Sequence, residues 1–151
     1  MNSITRTEAN EIKHSWESLL TRCPYFGDEF YKAVFKLDPG AREMFKNDIH
    51  VQSTMFINCM THFINEIDKW EAITSEIQHL GKRHVGEYHI KKEYFGIFEE
   101  AFLATLERRF KGDWTQSAKT TWVNFYNLLM DIMFHSSPDI KTVGSKSPGQ
   151  Q

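Results

Sequence analysis

Leu80-Gly81-Lys82-Arg83-His84 closes one helix-patterned segment, and eleven residues on the next begins as Phe95-x-x-Phe98-x-x-x-Phe102-x-x-x-Leu106-x-x-x-Phe110. Apolar residues recurring at every third or fourth place mark a helix with one buried face. An imidazole at the end of the first segment would point into the space between two such faces. Alone, that histidine reads as a core residue bonded to a backbone carbonyl. Three upstream residues change its meaning. Phe45 stands 39 residues before it and closes Asp38-Pro39-x-Ala41-Arg42-x-Met44-Phe45; Gln52 stands 32 before it, and Tyr31 stands 14 before Phe45.

The rest of the chain is helical in pattern. Thr5 with Glu8 has the form of a capping box, and Ile12, Trp16, Leu19 and Leu20 follow at helical spacing, predicting a helix over about 8–21. After Pro24, the residues Phe26, Phe30, Val34 and Leu37 line a second helix, and Ala41 to Phe45 a short third turn. A fourth helix is expected over about 51–70 and a fifth, on Ile73, Ile77 and Leu80, to about Gly86. The sixth runs from Lys91 until Gly112 ends it. In the last, Trp122, Phe125, Tyr126, Leu129 and Ile132 or Met133 share one side. With no strand-like alternation and no internal repeat, the class is all-α. Residues 1–137 read as one domain, and 138–151, rich in Ser, Gly, Pro and Lys, as a frayed tail.

Composition narrows the function. Eighteen basic residues against twenty acidic leave a net charge of −2, which argues against nucleic acid, since phosphate binding needs a concentrated basic face. No apolar run approaches the roughly 18 residues of a membrane helix, and Met1 to Asn10 is too polar for a signal peptide, so a cytoplasmic protein is expected. Aromatic residues make up 14% of the chain, twelve of them Phe, and with only four Pro this suggests long helices around something bulky. Of the seven histidines, His14, His50, His89 and His135 sit among polar neighbours and read as solvated. His62 and His79 could face inward but lack the spacing of His84.

On these residues the chain resembles a globin, most nearly the bacterial single-domain globins and the haem domains of flavohaemoglobins, over about 8–133. The anchors are Phe45, His84, Trp122 and the segment Phe102-Leu103-Ala104-Thr105-Leu106. The resemblance implies a globin fold of seven to eight helices enclosing one haem b. His84 would be the proximal iron ligand and Phe45 the ring stacked on the haem. No C-x-x-C-H motif occurs, so attachment would be non-covalent. Tyr31 and Gln52 would face the ligand side, with Phe56 as the apolar roof and Phe35 packed behind Tyr31. Ile90 and Phe95 would join Phe45, Phe56, Phe35 and Arg83 in touching the haem. Arg83, ahead of Lys82, His89 and Lys46, would meet the propionates. Met55 stands where related globins often carry a basic residue.

The implied function is reversible binding of oxygen, and of carbon monoxide or nitric oxide, at a five-coordinate ferrous iron. The alternative is nitric oxide dioxygenation fed by a separate reductase; gas sensing is a third reading. Tyr31 could instead bond a backbone carbonyl, and Gln52 could turn to solvent. Flavohaemoglobins surround the proximal histidine with a tyrosine and a glutamate, but Phe95 and Ser137 fall at those places here. Glu99 and Glu100 could substitute but read as solvated. A backbone carbonyl of its own helix is then the expected partner of His84. Cys59 reads as core, and a disulfide with Cys23 would require their α-carbons within about 7 Å.

Overall fold

The computed structural model describes residues 4–46, 48–84 and 93–135. The frayed-tail expectation, the extension of the fifth helix to Gly86 and the start of the sixth at Lys91 lie outside these residues. Six α-helices are present: α1 (Arg6–Arg22), α2 (Phe26–Leu37), α3 (Ile49–Asn65), α4 (Trp70–Lys82), α5 (Glu93–Phe110) and α6 (Gln116–Met130). Shorter helical turns join them, among them the 3₁₀ stretch Pro39–Met44 between α2 and α3, and no strand occurs among the described residues.

Local chemistry sets most boundaries. The capping box at the head of α1 is complete: Glu8 N–H donates to Thr5 Oγ1 at 3.0 Å, and Thr5 N–H donates to Glu8 Oε1 at 3.1 Å. Thr5 is therefore the cap itself, and the helix begins at Arg6 rather than Glu8. Asp48 caps α3, accepting from His50 N–H at 2.8 Å, so that helix starts two residues earlier than its apolar pattern suggests.

The boundary between the fourth and fifth expected helices, placed near Trp70, falls about five residues earlier. Helix α3 stops at Asn65, a 3₁₀ turn spans Ile67–Lys69, and α4 begins at Trp70. Neither Gly nor Pro announces this break. Its cause is tertiary: the turn puts Ile67 into the core at 1% exposure, and it redirects the chain so that Ile73 and Ile77 are buried from a new axis. The end of α5 also differs by one residue. Lys111, not Gly112, takes the left-handed backbone, at φ 49°. A side chain there costs about 1 kcal/mol. Lys111→Gly should accordingly raise unfolding free energy by about 1 kcal/mol, measured by urea denaturation with an unchanged m value.

Large rings fill the interior. Trp16, Phe26, Phe102, Trp122 and Phe125 are all buried to 2% exposure or less. Trp16 meets Phe26 edge-on at 5.7 Å between centroids, and Phe102 meets Trp122 at 5.9 Å, joining α1, α2, α5 and α6. Each such pair adds about 0.5–1.5 kcal/mol beyond the area it buries. Trp16 Nε1 donates to Thr61 Oγ1 at 2.9 Å, so α1 also fixes α3. Arg109 forks onto the Glu29 carboxylate, with Nε donating to Oε1 at 2.7 Å and a second bond from its terminal nitrogen, tying the end of α5 to α2.

Two glycines permit close helix approach. At Gly27 a Cβ would lie 3.0 Å from the Ser53 carbonyl oxygen and 3.0 Å from Ile57 Cγ1, so α2 crosses α3 with backbones nearly touching. This crossing sets Tyr31, one turn beyond Gly27, against Gln52, the residue before Ser53. At Gly81 a Cβ would lie 2.8 Å from Met133 Cγ and closer still to the Met133 carbonyl oxygen, where α4 meets the end of α6.

Candidate functional site

The upper half of the site is built from α2, α3 and the chain leading out of the 3₁₀ stretch. Tyr31 is buried, at 4% exposure, and Gln52 Nε2 donates to its hydroxyl oxygen at 3.3 Å. Gln52 thus turns inward rather than to solvent. Accepting this bond leaves the Tyr31 O–H free to donate to something else. Burial pushes the Tyr31 phenol up to about 12 despite the glutamine bond, so it keeps its proton at any ordinary pH. Around the Tyr31 ring stand Phe45 at 5.3 Å, Phe56 at 5.9 Å and Phe35 at 6.1 Å between ring centroids. Phe30, which the spacing places only in the general core, stacks on Phe56 at 4.6 Å and fixes it.

The lower half comes from α4 and α5. Arg83 and His84 continue α4 as a π-type turn. His84 Nδ1 lies 2.7 Å from the Leu80 carbonyl oxygen, so Nδ1 carries the proton and donates. The expectation of a backbone carbonyl partner from its own helix holds. Burial, first among the influences, lowers the affinity of this imidazole for a second proton; the Leu80 bond opposes it and the Arg83 charge adds to it. In the neutral ring, with Nδ1 donating to a carbonyl, the lone pair lies on Nε2. Glu99, weighed above as a carboxylate partner, lies near the buried Tyr126 and helps raise its phenol.

The two halves are joined by a chain of rings. His84 meets Phe95 at 6.2 Å, Phe95 meets Phe98 at 6.0 Å, and Phe98 meets Phe45 at 6.3 Å. Phe98 was legible as part of the apolar stripe of α5, but nothing in the spacing marked it as the bridge. Phe95 and Phe98 are half-buried, whereas Phe102, Leu106 and Phe110 on the same stripe are buried. The stripe therefore serves the core at one end and the site at the other. Arg83 and Lys46 are exposed, Lys82 is half-buried, and Ile90 and His89 lie outside the described residues. Arg42, which sequence reasoning missed, stands 5.4 Å over the Phe35 ring. His62 and His79 are exposed, His62 beside Glu76 at 2.9 Å. Cys23 and Cys59 are free thiols, both half-buried.

Comparison with known proteins bears on this arrangement at the level of the family. Residues 28–133 match the globin family profile, a span that takes in Tyr31, Phe45, Gln52 and His84. The chain belongs to the globin family. Among similar proteins, an anaerobic nitrite reductase of Gossypium hirsutum is 24% identical over 147 residues, covering 86% of this chain and 91% of the relative. Leghemoglobin of Medicago sativa is 25% identical, covering 77% and 86%. Neuroglobin of Tetraodon nigroviridis is 23% identical, covering 88% and 92%. A solved structure, an engineered carbene transferase derived from a Rhodothermus marinus protein named as a nitric oxide dioxygenase, superposes with a TM-score of 0.78. It covers 95% of this chain and all of its own at 13% identity, a likeness of fold alone. No helix among the described residues of this globin is long and apolar enough to cross a membrane.

The residues of the site suit a haem. Its iron needs a neutral nitrogen donor, and His84, whose buried ring resists a second proton and whose Nδ1 donates to Leu80, is a residue of that chemistry. Its macrocycle needs flat apolar neighbours, and Phe45, Phe95, Phe98 and Phe56 supply them. Met55, three residues beyond Gln52 on α3, is 49% exposed.

Proposed function

We propose that this globin holds haem b non-covalently through His84 and binds oxygen reversibly between Tyr31 and Gln52. When bound, the haem supplies a ferrous iron with one open position for a diatomic gas. The hydrogen bond from Gln52 to the buried Tyr31 carries the reading. It brings two donors together in an aromatic enclosure, and a core tyrosine with no ligand to meet would more simply bond a backbone carbonyl.

The chemistry of the chain's own groups then follows. Phe56, Phe45 and Phe35 exclude water, so the local dielectric is low and each polar contact counts for more. Tyr31, protonated throughout, offers its O–H to the partly negative far end of a polar gas ligand. Gln52 Nε2 has a second hydrogen to offer. Each such bond contributes about 0.5–1.5 kcal/mol net, and 1.4 kcal/mol is tenfold in affinity. The less polar carbon monoxide gains less from both. Arg83 is assigned to the propionates, with Ile90 and Phe95 among the haem contacts.

Tyr31→Phe should speed oxygen dissociation about tenfold, the equivalent of one net bond, with a smaller change for carbon monoxide. Stopped-flow displacement measures both. Unchanged oxygen dissociation in Tyr31→Phe and in Gln52→Leu would refute the donating role.

Nitric oxide dioxygenation with electrons from a separate reductase is the second reading. It is prompted by the name of a Rhodothermus marinus protein that shares the fold, while the plant relatives carry the name of a different nitrogen-oxide reaction, the reduction of nitrite. The backbone bond of His84 disfavours it: a carboxylate on Nδ1 would make the imidazole more electron-donating, and here a carbonyl takes that place. Turnover of nitric oxide with a supplied flavin reductase should be slow; rapid, sustained turnover would favour the second reading.

A further inference from the structure

The end of α6 is irregular where it meets the proximal side. Beyond Met130 the chain does not stay α-helical but winds as a π-helix over Asp131–His135. Arg83 and His84, directly after α4, are also wound as a π turn. π turns are rare in helices and often mark functional positions. This one has an identifiable result. Successive residues reach different elements: Met133, 4% exposed, lies over Gly81 of α4, while Phe134 sits 4.3 Å from the Phe95 ring of α5 at 49° between planes.

Phe95 thereby packs against both Phe134 and the His84 ring, which it meets at 6.2 Å and 47°. The 4.3 Å separation is the shortest of its three ring contacts among the described residues, Phe98 lying at 6.0 Å. Pressure on Phe95 from α6 therefore bears on the imidazole. On the other side of the same segment, the backbone contact of Gly81 with Met133 fixes the height of α4 three residues before His84. A histidine ring turns freely about two bonds unless packing stops it. Here the Leu80 carbonyl holds Nδ1 at one edge and Phe95 limits the face.

We propose that Phe134 is a positioning residue for the proximal ligand, wedging Phe95 against His84 and so fixing the ring plane in which Nδ1 bonds Leu80 and Nε2 coordinates. The inference rests on the reading of His84 as the iron ligand, and its test separates the two. Phe134→Ala removes the wedge, Phe134→Leu restores most of its bulk, and Phe110→Ala removes a buried ring, 6% exposed, stacked on Trp114 at the far end of α5. Two readouts apply. In the haem-free chain, the His84 Nδ1–H proton is followed by NMR for exchange with solvent. In the haem-loaded ferrous protein, the iron–imidazole stretching band is recorded by resonance Raman, and haem loss to an excess of an acceptor globin is timed.

Phe134→Ala should speed exchange of the ring proton, shift or broaden the stretching band and release haem about tenfold faster, about 1.4 kcal/mol of lost retention. Phe134→Leu should recover most of this. Phe110→Ala should lower stability and leave ring proton and band in place. An unmoved band and ring proton in Phe134→Ala, or equal changes in Phe110→Ala, overturn the proposal. If the wild-type chain takes up no haem, the reading of His84 fails, and the ring-proton comparison still decides whether Phe134 orients it.

Discussion

His84→Ala should lose stable haem uptake. The variant is expected to fold, because the histidine ring is half-buried at the end of α4 rather than in the packed centre, and the core rings Trp16, Phe102 and Trp122 are untouched. Removing it leaves the aromatic enclosure without a nitrogen donor, and contacts to Phe45, Phe95 and Phe98 alone hold a haem only loosely. Retention should fall at least a hundredfold, about 2.8 kcal/mol, as measured by transfer to an acceptor globin. His84→Gly with added imidazole separates ligation from packing. A small free imidazole can enter the space and restore the Soret band, whereas a purely structural loss would not be rescued. A His84→Ala variant with wild-type haem retention would remove His84 as the ligand.

The second large effect concerns Gly81, where packing leaves no room for a methyl group. A Cβ would fall 2.8 Å from Met133 Cγ, and the carbonyl oxygen of Met133 is nearer still. A flexible side chain could swing away; a backbone carbonyl inside a helical turn cannot. Gly81→Ala must therefore separate α4 from the end of α6, uncovering Ile77, Ile132 and Met133, which are 0%, 9% and 4% exposed. A cost of about 3 kcal/mol is expected, at the upper end for overpacked sites. Gly96→Ala is the matched control. Gly96 lies on the exposed side of α5, with nothing within 4 Å of a would-be Cβ, and the same change there should gain about 0.5–1 kcal/mol from helix propensity. Opposite signs in urea denaturation are the result expected. Equal, small effects would show that the α4–α6 contact is looser than described.

What sequence alone conveyed divides along a physical line. Periodicity and capping reported the helices well, because both are local: α2 spans Phe26–Leu37 as its apolar spacing implied, and Thr5 and Glu8 form the box their spacing promised. A break between α3 and α4 was legible but not its place at Ile67–Lys69, since nothing local ends α3; the helix stops before Trp70 because Ile67 must turn into the core. Likewise Lys111 takes a backbone shape that the sequence would assign to Gly112. At the site, joint spacing brought Tyr31, Phe45, Gln52 and His84 into view. The elements that hold them did not show. Phe30 behind Phe56, Phe98 between the two halves and Phe134 against Phe95 are contacts between helices far apart in sequence, and a phenylalanine on an apolar stripe carries no mark of which neighbour it meets. The π winding of Asp131–His135 has no local signal at all.

The absorption spectrum of the haem-reconstituted chain, taken ferrous without gas and then under oxygen, tests the central claim most directly. A single histidine ligand with Tyr31 and Gln52 reserved for the gas predicts one broad visible band of five-coordinate ferrous haem. On adding oxygen it should split into the paired bands of a reversible complex, and the first spectrum should return when oxygen is withdrawn. Sharp six-coordinate bands before any gas is admitted, or no defined spectrum because haem is not retained, would contradict the account.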